Sequence, residues 1–180
     1  MSPFNPTHVS QFERRQVPLT AGFVAVVDAS DYDRVASFKW FALRLPSGLV
    51  YGARTIGSRP GKRRSLLMHR FILGCDGEQT KVDHRDGDGL NNTRDNLRRA
   101  TGLQNNRNRG PQANNTCGFK GVRPTRNGRF GAVIKTSQRQ MHLGHFQTAE
   151  EAARAYDAAA REHFGTFAWL NFPHQNEARA

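Results

Sequence analysis

The sequence predicts an α+β chain of two small folded parts, and three observations carry that prediction. Between Val17 and Leu73 short apolar runs alternate with turn residues, as strands do and helices do not. Residues 75–110 are polar and dense in Asp, Gly, Asn and Arg, so they form loops around a few ordered positions. Beyond residue 117 three strand-like runs are followed by one well-marked helix.

Residues 1–16 carry few periodic apolar positions and are expected to be a flexible arm. Strands are expected at Phe23–Asp28, Phe38–Leu43, Leu49–Arg54 and Ser65–Leu73. Turn signals separate them at Pro46-Ser47-Gly48 and Gly57-Ser58-Arg59-Pro60-Gly61. Trp40 and Phe41 read as core residues. Lys81-Val82 is a short strand that delivers Asp83-His84, and a second short strand is expected at Asn96-Leu97-Arg98. Thr101 can cap a short helix on which Asn105 sits one turn in. The expected domains are thus residues 17–109, a linker over 110–116 with nothing apolar enough to pack, residues 117–173, and a tail over 174–180.

In the C-terminal part, strands are expected near Gly118–Arg123, Arg129–Lys135 and Gln140–Phe146. A helix from Ala149 to Phe164 should start on a capping box, because Thr148 is followed three positions later by Glu151. Gly165 is placed to end it. Ala152, Ala155, Tyr156, Ala159, Ala160 and Phe164 make a stripe of mostly small side chains that lets the helix lie close to a sheet. Alternation sorts the strands. Phe130, Ala132, Ile134, Met141 and Leu143 turn inward, leaving Arg129, Lys135, Gln140 and His142 outward.

Charge narrows the function. Lys plus Arg number 27 against 15 Asp plus Glu, a formal charge of +12. From Asn96 to Ala149 there is no acidic residue, while ten Lys and Arg fall in the same stretch. Such a field favours phosphate by releasing condensed counterions, which points to nucleic acid rather than an anionic membrane. No apolar run approaches the ~18 residues of a membrane span. The first residues lack the apolar stretch of a secretory signal, so a cytoplasmic location, in a bacterial or phage-infected host cell, is expected. Cys75 and Cys117 are far apart and form no Cys-x-x-Cys pair, which speaks against a disulfide framework or a zinc ribbon.

The polar segment carries groups suited to phosphodiester hydrolysis. That reaction needs a base to activate water and a cation to support the leaving oxygen. A histidine suits the first role, and carboxylate and carboxamide oxygens suit Mg²⁺ or Mn²⁺ better than zinc. Asp83, Asp86 and Asp88 also invite a calcium-loop reading. The bidentate Glu which that loop requires at its twelfth position is absent, the place being taken by Arg94 or Leu97. His69 reads as a satisfied strand residue.

The segment from Leu66 to Arg109 resembles the HNH endonuclease family, in the branch common among phage and intron-encoded homing enzymes. The pattern is Asp83-His84, then Asn96-Leu97 twelve positions after the His, then Asn105 nine later, with Met68-His69-Arg70 upstream. The resemblance implies a ββα-metal (His-Me finger) core preceded by a β-rich extension. It makes His84 the general base, and Asp83 with Asn105 the metal ligands. Asn96 would tie the loop between the strands and orient His84. Arg98, Arg99 and Arg107 are possible phosphate contacts.

Residues 118–173 resemble the APETALA2/ethylene-response-factor DNA-binding domain. The matching pieces include Gly121-Val122-Arg123, Leu143-Gly144-His145-Phe146, Thr148 to Ala153, Ala155 to Ala160 and Leu170-Asn171-Phe172-Pro173. The resemblance implies DNA contacts by Lys120, Arg123, Arg126, Arg129, Lys135, Arg139, Gln140 and His142. Asn127 and His142 stand where plant members often place Trp, and Thr125 where they often place Arg. The plant target sequence is therefore not carried over.

Together these readings predict a site-directed, metal-dependent endonuclease, phage-encoded or homing, that nicks or breaks double-stranded DNA. Mg²⁺ or Mn²⁺ is the expected cofactor, with no small-molecule substrate and no membrane. A monomer is expected, with a dimer open. The rival reading is a DNA-binding regulator with a decayed nuclease fold.

Overall fold

The computed structural model describes residues 13–57, 63–75, 80–112 and 114–173. Most of the expected arm, most of the turn at 57–61, Ala113 and the tail from 174 lie outside the described residues. The chain divides into two compact units, residues 1–100 and 101–180. It is an α+β protein of small antiparallel sheets and few helices.

The first unit opens with an antiparallel pair, β1 (Arg14–Pro18) and β2 (Val24–Asp28), in which Val17 faces Ala25. The strand β1 thus begins inside the stretch expected as an arm. Only Val17 of its five residues is buried, so no alternation was there to read. Helix α1 (Ala29–Ala36) follows directly and has no counterpart in the expected elements. It is mostly polar, and its two buried residues, Asp31 and Val35, stand four apart on one face.

A three-stranded sheet comes next, in the order β3 (Phe41–Arg44), β4 (Val50–Ile56), β5 (Arg64–Leu67). The run Ser65–Leu73 is therefore not one strand: after Leu67 it becomes a helix, α2 (Met68–Ile72). The reason lies in spacing. Met68 and Ile72 are four apart and both buried, which a helix achieves and a strand achieves only by burying Arg70 as well. The hairpin β6 (Lys81–His84) and β7 (Leu97–Ala100) then closes with Asp83 opposite Arg98 and His84 opposite Leu97. Val27, Val35, Trp40, Met68, Val82 and Leu97 share one core. Trp40 lies in it as expected, and its indole N–H donates to Val35 O at 2.8 Å.

The second unit begins with α3 (Gly102–Arg107), capped as expected by Thr101, whose side chain accepts from Gln104 N. The sheet runs β10 (Gln140–Phe146), β9 (Phe130–Lys135), β8 (Val122–Pro124). The first strand starts later than the expected Gly118 because Gly118 and Gly121 both take left-handed backbone, at φ 74° and 77°, and turn the chain. Helix α4 (Ala149–Phe164) carries the Thr148–Glu151 capping box and ends at Gly165 with φ 54°. Its buried face is Ala152, Ala153, Tyr156, Ala160 and Phe164, packed on Val122, Ala132 and Ile134. Asp157 was not foreseen there. It is 2% exposed and accepts from Asn171 N at 2.9 Å and Phe172 N at 2.8 Å, fastening the chain's return. Among the described residues no helix is long and apolar enough to cross a membrane.

Candidate functional site

In the first unit Asp83 and His84 stand at the end of β6, each 5% exposed. Strand alternation sends their side chains to opposite faces. Asp83 meets Arg98 on the neighbouring strand: Arg98 Nε and Nη2 lie 2.7 and 2.6 Å from Asp83 Oδ2. Arg98 is itself 8% exposed, so this cation is spent on the carboxylate inside the hairpin. Arg99 is exposed and donates to Leu73 O at 3.1 Å.

His84 sits among rings. His69 meets it edge to face at a centroid distance of 4.9 Å, and Tyr51 at 5.7 Å. His69 is on α2, 5% exposed, and its Nδ1 has no hydrogen-bond partner. His69 is therefore not the satisfied strand residue expected: it is a buried helix residue that faces the expected base. The signal was the helical spacing of Met68 and Ile72, which turns His69 inward. Burial pushes the His84 imidazole below its ordinary value, against the Asn92 bond and the carboxylates of Asp86, Asp83 and Asp88. Burial, joined by the charges of His84 and Arg70, pushes His69 down to about 3. Both rings are therefore neutral near pH 7.

The loop between β6 and β7 is tied by Asn96. Its Nδ2 donates to Asp86 Oδ1 and Asn91 O, both at 2.8 Å, while its Oδ1 accepts from Asp86 N at 3.0 Å. The carboxamide found at His84 Nε2 belongs to Asn92, whose Oδ1 lies 3.5 Å away. Asn92 was not among the expected residues, since an Asn-Asn pair in a polar loop reads as turn chemistry. Among the described residues no three His, Cys, Asp or Glu side chains gather as a metal site.

Asn105 and Arg107 lie on α3, in the second unit. Asn105 is half-buried, and Arg107 places its guanidinium 4.7 Å over the Phe164 ring. On the three-stranded sheet Arg123, Lys135, Gln140 and His142 are exposed, as are Arg126, Arg129 and Arg139 in the turns between its strands. Thr125, Arg126, Asn127, Arg129 and His145 line a shallow polar pocket at the β8–β9 turn. Lys120 differs from these cations. Its Nζ donates to Arg107 O at 2.5 Å and Arg109 O at 2.6 Å, and burial pushes its ammonium down to about 8.

No family model matches the chain. The rice dehydration-responsive element-binding protein 2E is 47% identical over 73 residues, 39% of this chain and 23% of that protein. The Arabidopsis thaliana ethylene-responsive transcription factor ERF084 is 58% identical over 59 residues, 32% of this chain and 23% of its own length. This chain thus spans about a quarter of those plant relatives, and the similarity is to a part of them. The relation to a viral protein is broader. The "Uncharacterized HNH endonuclease L560" of Acanthamoeba polyphaga mimivirus is 32% identical over 155 residues, covering 83% of this chain and 75% of the relative. The chain therefore belongs to the HNH endonuclease family, and it carries a stretch similar to the plant APETALA2/ethylene-response-factor proteins.

Proposed function

We propose that this protein is a site-directed, divalent-metal-dependent endonuclease acting on double-stranded DNA. The observation that carries the reading is the pairing of Asp83 and His84 at the end of one buried strand, in a chain related to an HNH endonuclease over most of its length. In this reading the β6–β7 hairpin supplies the two strands of a ββα-metal core. His84 takes the proton of the attacking water as the new P–O bond forms and the bond to the deoxyribose oxygen breaks. Burial that keeps the ring neutral at pH 7 supports this role. Asn96 holds the loop behind the histidine.

Asp83 is the residue of the first unit proposed to hold the metal, and the HNH resemblance implies Asn105 as a further ligand. Carboxylate and carboxamide oxygens are hard donors, which fit a hard cation. A bound Mg²⁺ or Mn²⁺ supplies stabilisation of the charge that develops on the phosphate.

The exposed cations of the C-terminal sheet are proposed to dock in a major groove, and the shape of that sheet favours duplex DNA over the narrow groove of A-form RNA. One nuclease centre per chain suits nicking by a monomer. A phage or homing context, in the cytoplasm of the host cell, agrees with this reading. The test is supercoiled plasmid incubated with Mg²⁺. Nicking that is lost with chelator supports the proposal. A band shift without nicking points instead to a DNA-binding regulator.

A further inference from the structure

The β1–β2 pair and α1 have no chemistry of their own, yet they hold the loop between β6 and β7. Val26 N donates to Leu90 O at 2.9 Å, and Val26 O accepts from Asn92 N at 2.7 Å. The loop thus runs beside β2 as a parallel bridge. Two residues on, Arg94 N donates to Asp28 Oδ2 at 2.7 Å. The Arg94 guanidinium takes both oxygens of Asp31, at 2.7 and 2.8 Å. Burial alone would push the Asp31 carboxyl up, but the bonds and charges of Arg94 and Arg34 outweigh it and hold it down, as a carboxylate. On the other side Gly89 passes so close to β4 that a Cβ there would lie 2.3 Å from Val50 O and 2.6 Å from the Tyr51 ring. Asn92, 1% exposed, is clamped between these two fixed points.

The orientation of the Asn92 amide follows from its neighbours. Its Nδ2 donates to Leu90 O at 3.0 Å and reaches Gly89 O at 3.4 Å. Carbonyl oxygens only accept, so the amino group must face them and Oδ1 must face His84. At 3.5 Å this oxygen can accept from Nε2 only in the tautomer in which Nε2 carries the hydrogen. In the neutral ring the lone pair then lies on Nδ1.

We infer that Asn92 is a positioning residue for His84, holding the ring in the Nε2–H tautomer so that Nδ1 presents the lone pair that receives the water's proton. The N-terminal pair and α1 act through Asn92 and Arg94 to keep it there. The inference rests on the reading of His84 as the base.

The test uses the full chain with ¹⁵N-labelled histidine, reading the His84 tautomer by long-range ¹H–¹⁵N correlation and cleavage by single-turnover kinetics. Wild-type protein is expected to show a protonated Nε2 and an unprotonated Nδ1. In Asn92→Leu the tautomers mix, and the single-turnover rate at saturating protein falls about 10- to 100-fold, the usual effect of losing such a supporting bond, with DNA affinity unchanged. Arg94→Met keeps Asn92 but cuts the clamp and should move both readouts the same way, less far. A wild-type His84 protonated on Nδ1, or Asn92→Leu with wild-type tautomer and rate, overturns the inference. If Asn92→Leu does not fold, the wild-type tautomer and Arg94→Met decide. If His84→Ala cuts as fast as wild type, the reading of the base fails instead, and the tautomer spectra still judge whether Asn92 holds the ring.

Discussion

Asp83 and Arg98 face each other across the β6–β7 hairpin, Oδ2 within 2.7 Å of Nε and 2.6 Å of Nη2, both residues more than nine-tenths buried. Arg98 lies directly opposite Asp83 in the register, so the charge pair belongs to the hairpin itself. Removing the guanidinium leaves a buried carboxylate, a defect that costs about 3–5 kcal/mol. Arg98→Met should therefore lower the unfolding free energy measured in urea by that order. Arg98→Lys should recover only part, because an ammonium cannot offer a fixed pair of donors. A loss below about 1 kcal/mol, the scale of an exposed pair, would contradict the buried arrangement.

Gly121 has φ 77°, and a Cβ there would lie 2.0 Å from Cδ2 of Tyr156, a buried residue of α4. Backbone strain and overpacking act together in Gly121→Ala, each worth about 1–3 kcal/mol. The second unit should lose its cooperative thermal transition, or show it at clearly lower temperature, together with DNA binding. A melting curve that matches wild type would refute this packing.

Acid should unfold the first unit through His69. Its folded pKa of about 3 lies below the ordinary 6.5, so the unfolded chain binds the proton more tightly. The stability this ring contributes is fully present above about pH 6.5 and falls by about 1.4 kcal/mol per pH unit as pH drops toward 3. His69→Phe, which cannot titrate, should flatten the pH dependence of urea stability over that window. An unchanged slope would mean that the buried ring is not the source.

Lys120 and Lys135 should behave differently on DNA. Lys135 is exposed on the sheet, whereas the Lys120 ammonium is held by the Arg107 and Arg109 carbonyls. Lys135→Ala should reduce the slope of log affinity against log salt by about one. Lys120→Met should leave that slope unchanged and lower the thermal stability instead. The reverse pattern would place Lys120, not Lys135, against phosphate.

Much of the second unit was legible because its signals are local. The Thr148–Glu151 box, Gly165 and the alternation of Phe130, Ala132 and Ile134 act within a few residues of where they are read. In the first unit the spacing of His84 and Asn96 marked the hairpin, with Thr101 capping the helix after it. What surrounds them was not legible. Asn92 meets His84 because β2, more than sixty residues earlier, pins the loop through Val26 and Asp28. A polar helix such as α1 offers no apolar stripe wide enough to announce itself, and His69 turned inward only once Leu67 ended a strand. Arg98 reads in the sequence as a possible phosphate contact. Its pairing with Asp83 becomes visible only when the hairpin register is drawn.

The central claim is that His84 is the base of a DNA-cutting centre, and one comparison tests it most directly. Wild-type and His84→Ala proteins are incubated with supercoiled plasmid and Mg²⁺, with binding measured in parallel on the same DNA. His84→Ala should bind as wild type does, while its cleavage falls by about 100-fold or more, the range of a lost general base. Cleavage that persists undiminished in His84→Ala, with binding intact, would contradict it.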